Sequence, residues 1–369
     1  MEQLMSLDPI KMLIVDDSRI FRAVLEKGLT AEPDFCITGS VMNGRKAIEQ
    51  INRKRPDIVS LDVEMPEMNG LETLQEIQRI NRADQSTRPI GVIMLSSLTH
   101  KGTETTIEAL EQGAFDFISK PRDSDVSLNV TSLTRQLVAK SRLFVSKTRN
   151  GKKATQVKSL TLFPSTAKRP GRQSKKVQAI MIGVSTGGPM ALQDMLPQLC
   201  EATELPICIV QHMPPTFTFS LAKSLDSKCV HTVVEAETGM IIRGQHIYIA
   251  PGGKHLLLKK INGQVQAVIN EQPAENGCRP SVDVLFRSAA PAFDGRLLAI
   301  VLTGMGNDGT KSLTALKRDG VHVIAQDEAS SVVWGMPGSA VQSGNVDRVL
   351  PLSDIPAGVA EFLQSPGRS

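Results

Sequence analysis

Five short apolar runs punctuate residues 10–125: MLIVDD, FCITGSV, DIVSLDV, GVIMLSS and DFISKP. Four of the five are near-continuously apolar instead of alternating, as expected of strands covered on both faces. Between them, residues 18–29 and 71–80 carry apolar positions at helical spacing. Such a βαβ repeat predicts a parallel sheet with helices on both sides. Leu128, Leu133, Leu137, Val138 and Phe144 follow at roughly helical spacing and predict a closing helix over 128–145. From Val177 a second series begins: QAIMIGV, ICIVQH, HIYIAP, HLLLKK, LLAIVLTG and VHVIAQ. Helices are predicted over 190–199, 282–290 and 310–318, and an antiparallel hairpin over 246–270. No repeat has the period of a solenoid or propeller. The pattern predicts two α/β bodies, 10–128 and 177–369, with residues 129–176 helical at first and then a flexible connection.

Composition narrows the functional classes. At roughly 100–200 residues per domain, 369 residues also predict two domains. Hydrophobic residues at 41% and charged residues at 22% exclude disorder along the whole chain. Aromatics at 4%, with one Trp and one Tyr, exclude a surface built to stack RNA bases or sugars. The five cysteines are odd in number, scattered and never spaced CxxC, which predicts a reducing cytoplasm without a disulfide frame or structural zinc. No apolar stretch approaches the ~18–20 residues that span a bilayer, and MEQLMSLDPIK lacks a signal-peptide pattern, so no membrane insertion is expected.

The net charge of +4 is unevenly distributed: residues 131–176 hold 13 Lys and Arg and no acidic residue. The other 29 of the 42 basic residues face 38 acidic ones, so two acidic bodies flank one basic strap. After Ser146 the strap is rich in Lys, Arg, Ser, Thr, Gly and Pro around an apolar island at 160–163, the composition of a flexible linker. Thirteen positive charges would bind nucleic-acid phosphates non-specifically. No helix-turn-helix follows, and no nucleic-acid partner is expected.

Chemistry in a parallel sheet collects at the carboxyl ends of its strands. In the first body those ends offer Asp16, Asp17, Asp62, Ser96 and Lys120. Three carboxylates brought together must protonate or bind a cation, and a hard divalent ion such as Mg²⁺ suits them. A carboxylate also accepts a phosphoryl group as an acyl phosphate, with Lys120 and Ser96 placed to contact the phosphoryl oxygens. The plainer alternative is solvated loop carboxylates, with Asp17 or Ser18 capping the next helix. The full set, with LDVEMPEMNG and FISKP, resembles a response-regulator receiver domain. That resemblance implies a (βα)5 fold with Asp62 as phosphoacceptor. It places Mg²⁺ at Asp16, Asp17, Asp62 and the backbone carbonyl of Glu64. Ser96 and Lys120 become the switch hydroxyl and lysine, and Phe117 the switch aromatic.

Three loops of the second body carry reactive types. Gly183–Gly188 fits G-x-S-x-G around Ser185, although a plain glycine-rich turn has the same pattern. His212 in QHMPP stands at a strand end, whereas His322 in VHVIA reads as a core histidine; His231, His246 and His255 have no distinguishing context. TGMGNDG also fits the dinucleotide pattern G-x-G-x-x-G. Asp308 inside that turn opposes a pyrophosphate but suits the orientation of a cationic imidazole. Ser185, His212 and Asp308 supply nucleophile, base and acid in an order foreign to α/β-hydrolases. Asp283 remains a rival acid, and Ser281 is expected to cap the helix VDVLFRSAA.

GVSTGGP, QHMPP, YIAPGGKHL, RPSVDVLFRSAA, VLTGMGNDG, MPGSAV and VDRVLPL, in this order, resemble the catalytic domain of the chemotaxis protein-glutamate methylesterase (CheB) family. With the receiver, the resemblance covers all but residues 1–9 and the linker. Val184 departs from it, a small Ala being expected before the serine. The resemblance implies a mainly parallel α/β domain with an antiparallel hairpin addition. Ser185 becomes nucleophile, His212 base and then acid, and Asp308 the group fixing the imidazole tautomer. The Met305 N–H becomes an oxyanion donor, with Thr186 lining the site. The implied reaction is hydrolysis of glutamate γ-methyl esters on chemoreceptors, with glutamine deamidation in some members and no cofactor for the esterase chemistry. The implied partners are methyl-accepting receptors as substrate and a chemotaxis histidine kinase as phosphodonor. Phosphorylation at Asp62 is expected to relieve a receiver that covers the Ser185 site.

Overall fold

The computed structural model describes residues 8–120, 126–150 and 176–364, with side chains in the middle segment from 131 to 149. The expected flexible linker lies outside the described residues from 151 to 175. The chain divides into two units, residues 1–156 and 157–369.

In the first unit the apolar runs become β1 (Ile10–Val15), β2 (Phe35–Val41), β3 (Ile58–Asp62), β4 (Gly91–Ser96) and β5 (Asp116–Ser119). The strands are parallel in the order β2-β1-β3-β4-β5. Every residue of β3 and β4 is buried, whereas the edge strand β2 buries only Thr38. Between the strands run α1 (Arg19–Thr30), α2 (Gly44–Arg53), α3 (Gly70–Ala83) and α4 (His100–Glu111). Ser18, not Asp17, caps α1 by accepting from the Phe21 N–H. The closing helix α5 (Val126–Asn150) is longer than its apolar spacing predicts. It adds Leu133, Leu137, Val138 and Val145 to the core around Met12, Ile14 and Ile93. The first body therefore runs past the expected boundary at residue 128. Each such side chain contributes about 1.5–3 kcal/mol on burial. Polar bonds carry the helix beyond Ser146: Arg149 donates to the Asp8 carbonyl at 2.7 Å, and Thr148 Oγ1 to the Phe144 carbonyl at 3.1 Å.

The second unit contains β6 (Ala179–Val184), α6 (Gly188–Ala202), β7 (Ile207–Gln211), α7 (Phe217–Asp226), β8 (Thr232–Glu235), β9 (His246–Ile249), β10 (His255–Ile261) and β11 (Gln264–Asn270). After them come α8 (Val282–Ala292), β12 (Leu297–Val301), α9 (Thr310–Arg318), β13 (His322–Gln326), α10 (Met336–Gln342), β14 (Arg348–Leu350) and α11 (Ile355–Gln364). Seven strands form a parallel sheet in the order β14-β13-β12-β6-β7-β9-β8. Among the strands of the described residues, β10 and β11 alone pair antiparallel. The expected hairpin over 246–270 is thus shorter, because β9 buries Ile247, Tyr248 and Ile249 inside the parallel sheet. His322 is also not a core histidine. At the open start of β13 its side chain is 31% exposed, against Phe362 and 3.9 Å from Asp347. Successive strands leave β6 on one side and β12 on the other, so the switch in strand order falls between these neighbours. Ligand crevices form outside the carboxyl ends of strands at such a point. Among the described residues no helix is long and apolar enough to cross a membrane.

Candidate active sites

Asp16 follows β1, Asp62 ends β3 and Lys120 follows β5. Carboxylate oxygens of Asp16, Asp17 and Asp62 lie within 4.8 Å of one another, with Asp17 exposed and the other two buried. Lys120 Nζ stands 2.8 Å from Asp16 Oδ2 and 2.7 Å from Asp62 Oδ2. One ammonium against three carboxylates leaves negative charge in excess. Burial raises the Asp62 carboxyl to about 6; Lys120 pulls it down, and the charges of Asp16 and Asp17 push it up. Burial also disfavours the Lys120 ammonium, but Asp62 and Asp16 outweigh it and hold Lys120 above its usual value. Asp16 Oδ2 is buried and has the Lys120 ammonium as its partner. An under-compensated set of oxygens fits a hard divalent cation.

Three further positions are expected at this centre. Glu64 is exposed in the loop after β3. Phe117 is buried on β5. Ser96, fully buried at the end of β4, turns its hydroxyl towards α4: it donates to the Gly102 carbonyl at 3.2 Å and accepts from Thr106 Oγ1 at 2.6 Å.

In the second unit the switch point brings the three loops together. Ser185 follows β6; its N–H donates to the Thr303 carbonyl at 3.0 Å. Its carbonyl accepts from Gln211 Nε2 at 2.9 Å. The turn into α6 passes through Gly187 at φ 77°, where an added Cβ would meet Val332 at 2.5 Å. A Cβ on Gly304 would stand 2.7 Å from that of Ser185, so glycine lets the loop after β12 approach the serine. His212 follows β7, and its N–H donates to the Val184 carbonyl at 3.1 Å. The Ser185 hydroxyl and the Met305 N–H make no hydrogen bond among the described residues. Thr186 is buried beside them, its carbonyl accepting from Thr303 Oγ1 at 2.9 Å.

His212 Nε2 lies 2.9 Å from Asp308 Oδ2. Asp308 is 2% exposed. It also accepts from Val282 N at 2.6 Å, Asn276 Nδ2 and Ser281 Oγ at 2.9 Å, Gly309 N at 3.0 Å and Asp283 N at 3.2 Å. Burial opposes the charge of Asp308, but its bond to His212 and these donors hold the carboxyl well below the usual range. Burial likewise opposes the imidazolium, yet the bonds to Asp308 and Cys278 raise His212 to about 9. The ring presents Nδ1 away from Asp308, with Cys278 Sγ 3.7 Å from it. Asp283 makes no such contact: it accepts from Ser312 N at 2.8 Å and from Asn276 Nδ2 at 2.9 Å. Asp308 is therefore the acid facing the imidazole. The expected cap at Ser281 needs correction too, since its hydroxyl turns to Asp308 and makes no capping bond to α8.

Two family models match this chain, the response regulator receiver domain over residues 12–132 and the CheB methylesterase over 180–359. A curated protein of Desulfotalea psychrophila, named protein-glutamate methylesterase/protein-glutamine glutaminase, is 43% identical across 94% of this chain and 96% of its own. The chain belongs to the CheB methylesterase family. A CheB relative of Geobacillus kaustophilus with the same name is 41% identical over 96% of this chain and 99% of its own. The crystal structure of the Thermotoga maritima CheB methylesterase catalytic domain is 43% identical, covers 51% of this chain and 100% of its own, and has a TM-score of 0.49.

The CheB half also contains supporting residues that sequence reasoning missed. Gln211, 2% exposed, ties the serine and histidine loops together by donating to the carbonyls of Ser185 and His212 at 2.9 and 3.3 Å. Asn276 bridges Asp283 and Asp308. His255 Nδ1 accepts from Ser281 N at 3.2 Å and steadies the segment that holds Asp308. Gln211 adjoins the histidine motif, a signal that was available; Asn276 and His255 had none.

Proposed function

We propose that this chain hydrolyses glutamate γ-methyl esters on chemoreceptors and deamidates receptor glutamines, at a rate raised by phosphorylation of Asp62. The observation that carries the reading is the His212–Asp308 pair beside the loop that presents Ser185. Asp308 holds the proton on Nε2, which leaves Nδ1 to take the Ser185 proton as Oγ bonds to the ester carbonyl carbon. The Met305 N–H receives the developing oxyanion; one such donor contributes about 2.7–4 kcal/mol to the barrier. Collapse expels methanol, protonated from Nδ1, and leaves a glutamyl ester on Ser185. Water then attacks with the same nitrogen as base, releasing the glutamate carboxylate and restoring the hydroxyl. For glutamine the leaving group is ammonia.

In the receiver, Asp62 attacks the phosphorus of a phosphohistidine on a chemotaxis histidine kinase; the new O–P bond makes an acyl phosphate as the P–N bond breaks and the kinase imidazole leaves. Asp16, Asp17, Asp62 and the Glu64 carbonyl would hold Mg²⁺, which would supply positive charge to offset that of the phosphoryl group. Lys120 already stands at both buried carboxylates. Ser96 reaches a phosphoryl oxygen by giving up Gly102 and Thr106, while Phe117 moves with the same side of the sheet. The five cysteines are free.

Two results are expected. Asp62→Asn makes methanol release from methylated receptors identical with and without a small phosphodonor plus Mg²⁺; any remaining stimulation places the phosphoacceptor elsewhere. The base must be neutral to act, and His212 titrates at about 9. Hence kcat/KM is expected to climb nearly tenfold from pH 7 to 8, then level off above 9. A flat profile across that interval contradicts the role of His212.

A further inference from the structure

Cys278 has no part in the mechanism above, yet its sulfur lies 3.7 Å from Nδ1, the ring nitrogen that Asp308 leaves free. Ligand atoms of Cys278, His212 and Asp308 fall within 4.8 Å of one another. Both carboxylate oxygens of Asp308 are occupied by donors from Asn276, Ser281, Val282, Asp283 and Gly309. That carboxylate thus stands behind the ring as an outer partner, the arrangement that fixes a metal-ligating histidine and raises its basicity. A zinc ion held tetrahedrally by one thiolate and one imidazole sets sulfur and nitrogen roughly 3.6 Å apart. The observed separation needs almost no adjustment, and both residues are partly exposed.

We propose that Cys278 Sγ and His212 Nδ1 form an inhibitory site for a borderline-soft divalent ion of the zinc class, with water completing the coordination. Binding releases the thiol proton and, below about pH 9, the Nδ1 proton too, and occupies the lone pair that otherwise accepts the Ser185 proton. Mg²⁺ prefers oxygen ligands and stays with the receiver carboxylates, so the two units separate their metals by ligand softness. The inhibition rests on His212 being the base of the proposed reaction; the binding does not.

The test uses the full chain as wild type, Cys278→Ala and Cys278→Ser, each titrated with Co²⁺ and then Zn²⁺. Wild type is expected to develop a thiolate-to-cobalt charge-transfer absorption at one equivalent, which Zn²⁺ displaces. Both variants lack it, although Cys36, Cys200, Cys208 and Cys229 remain; oxygen ligands in the receiver give no such band. Zn²⁺ is expected to stop methanol release by wild type, EDTA to restore it, and the variants to need at least about tenfold more Zn²⁺. No band in wild type, a band that survives in both variants, or inhibition of wild type and variants at the same Zn²⁺ concentration overturns the proposal. A Cys278-dependent band with full activity in the Zn²⁺-loaded enzyme leaves the site standing and removes His212 as the base.

Discussion

Ser185→Ala is expected to lower methanol release from methylated receptors by about 10⁴-fold or more, the scale on which serine hydrolases respond to loss of the nucleophile. The Thr303 hydroxyl does not stand ready to replace it. Thr303 Oγ1 donates to the Thr186 carbonyl and accepts from Val333 N at 2.9 Å, which fixes it in the loop scaffold. The same substitution should hardly disturb folding. The Ser185 hydroxyl makes no hydrogen bond among the described residues, and the turn is held through its backbone to Thr303 and Gln211. A stability change within about 0.5 kcal/mol is expected by thermal or denaturant unfolding. Activity and stability are therefore separable here. A variant that folds normally and keeps a tenth of the wild-type rate removes Ser185 as nucleophile.

The strands were legible because β3, β4, β6 and β12 are buried on both faces and read as unbroken apolar runs. The reactive loops were legible because each follows such a run. Edge elements were harder to read: β14 has three residues, none fully buried, and β8 buries one of four. The supporting contacts were not legible. Asn276 and Gly277, at φ 53° and 75°, bend a loop that delivers Cys278 to a histidine 66 positions earlier in the chain. Local patterning carries no trace of that approach. Ser281 illustrates the competition directly: its position favours a cap, but a buried carboxylate from a distant loop is the stronger acceptor for its hydroxyl. The choice between Asp283 and Asp308 likewise required coordinates, since both carboxylates are buried and share Asn276.

Asp308→Asn tests that choice with an effect of comparable size: a rate loss of about 10⁴-fold, from an imidazole held in the wrong tautomer. Asp308 Oδ2 receives His212 and Val282 N, while Oδ1 receives Asn276, Ser281, Asp283 N and Gly309 N. Either orientation of an amide points an NH₂ group at donors in a buried site, at a cost of about 1–3 kcal/mol in stability. The pH dependence separates catalysis from this structural damage. Burial disfavours the charged ring, and Asp308 is the leading group that reverses it. Removing that carboxylate lowers the His212 titration, with Cys278 left as the remaining group that raises it. The rising limb of the residual activity should then lie at lower pH than in wild type. Asp283→Asn can no longer accept from both Ser312 N and Asn276 Nδ2 and is destabilised as well, but it leaves His212 paired and the rising limb in place. Equal pH profiles for the two variants, each compared with wild type, contradict the assignment of Asp308 as the group that sets the charge of the base.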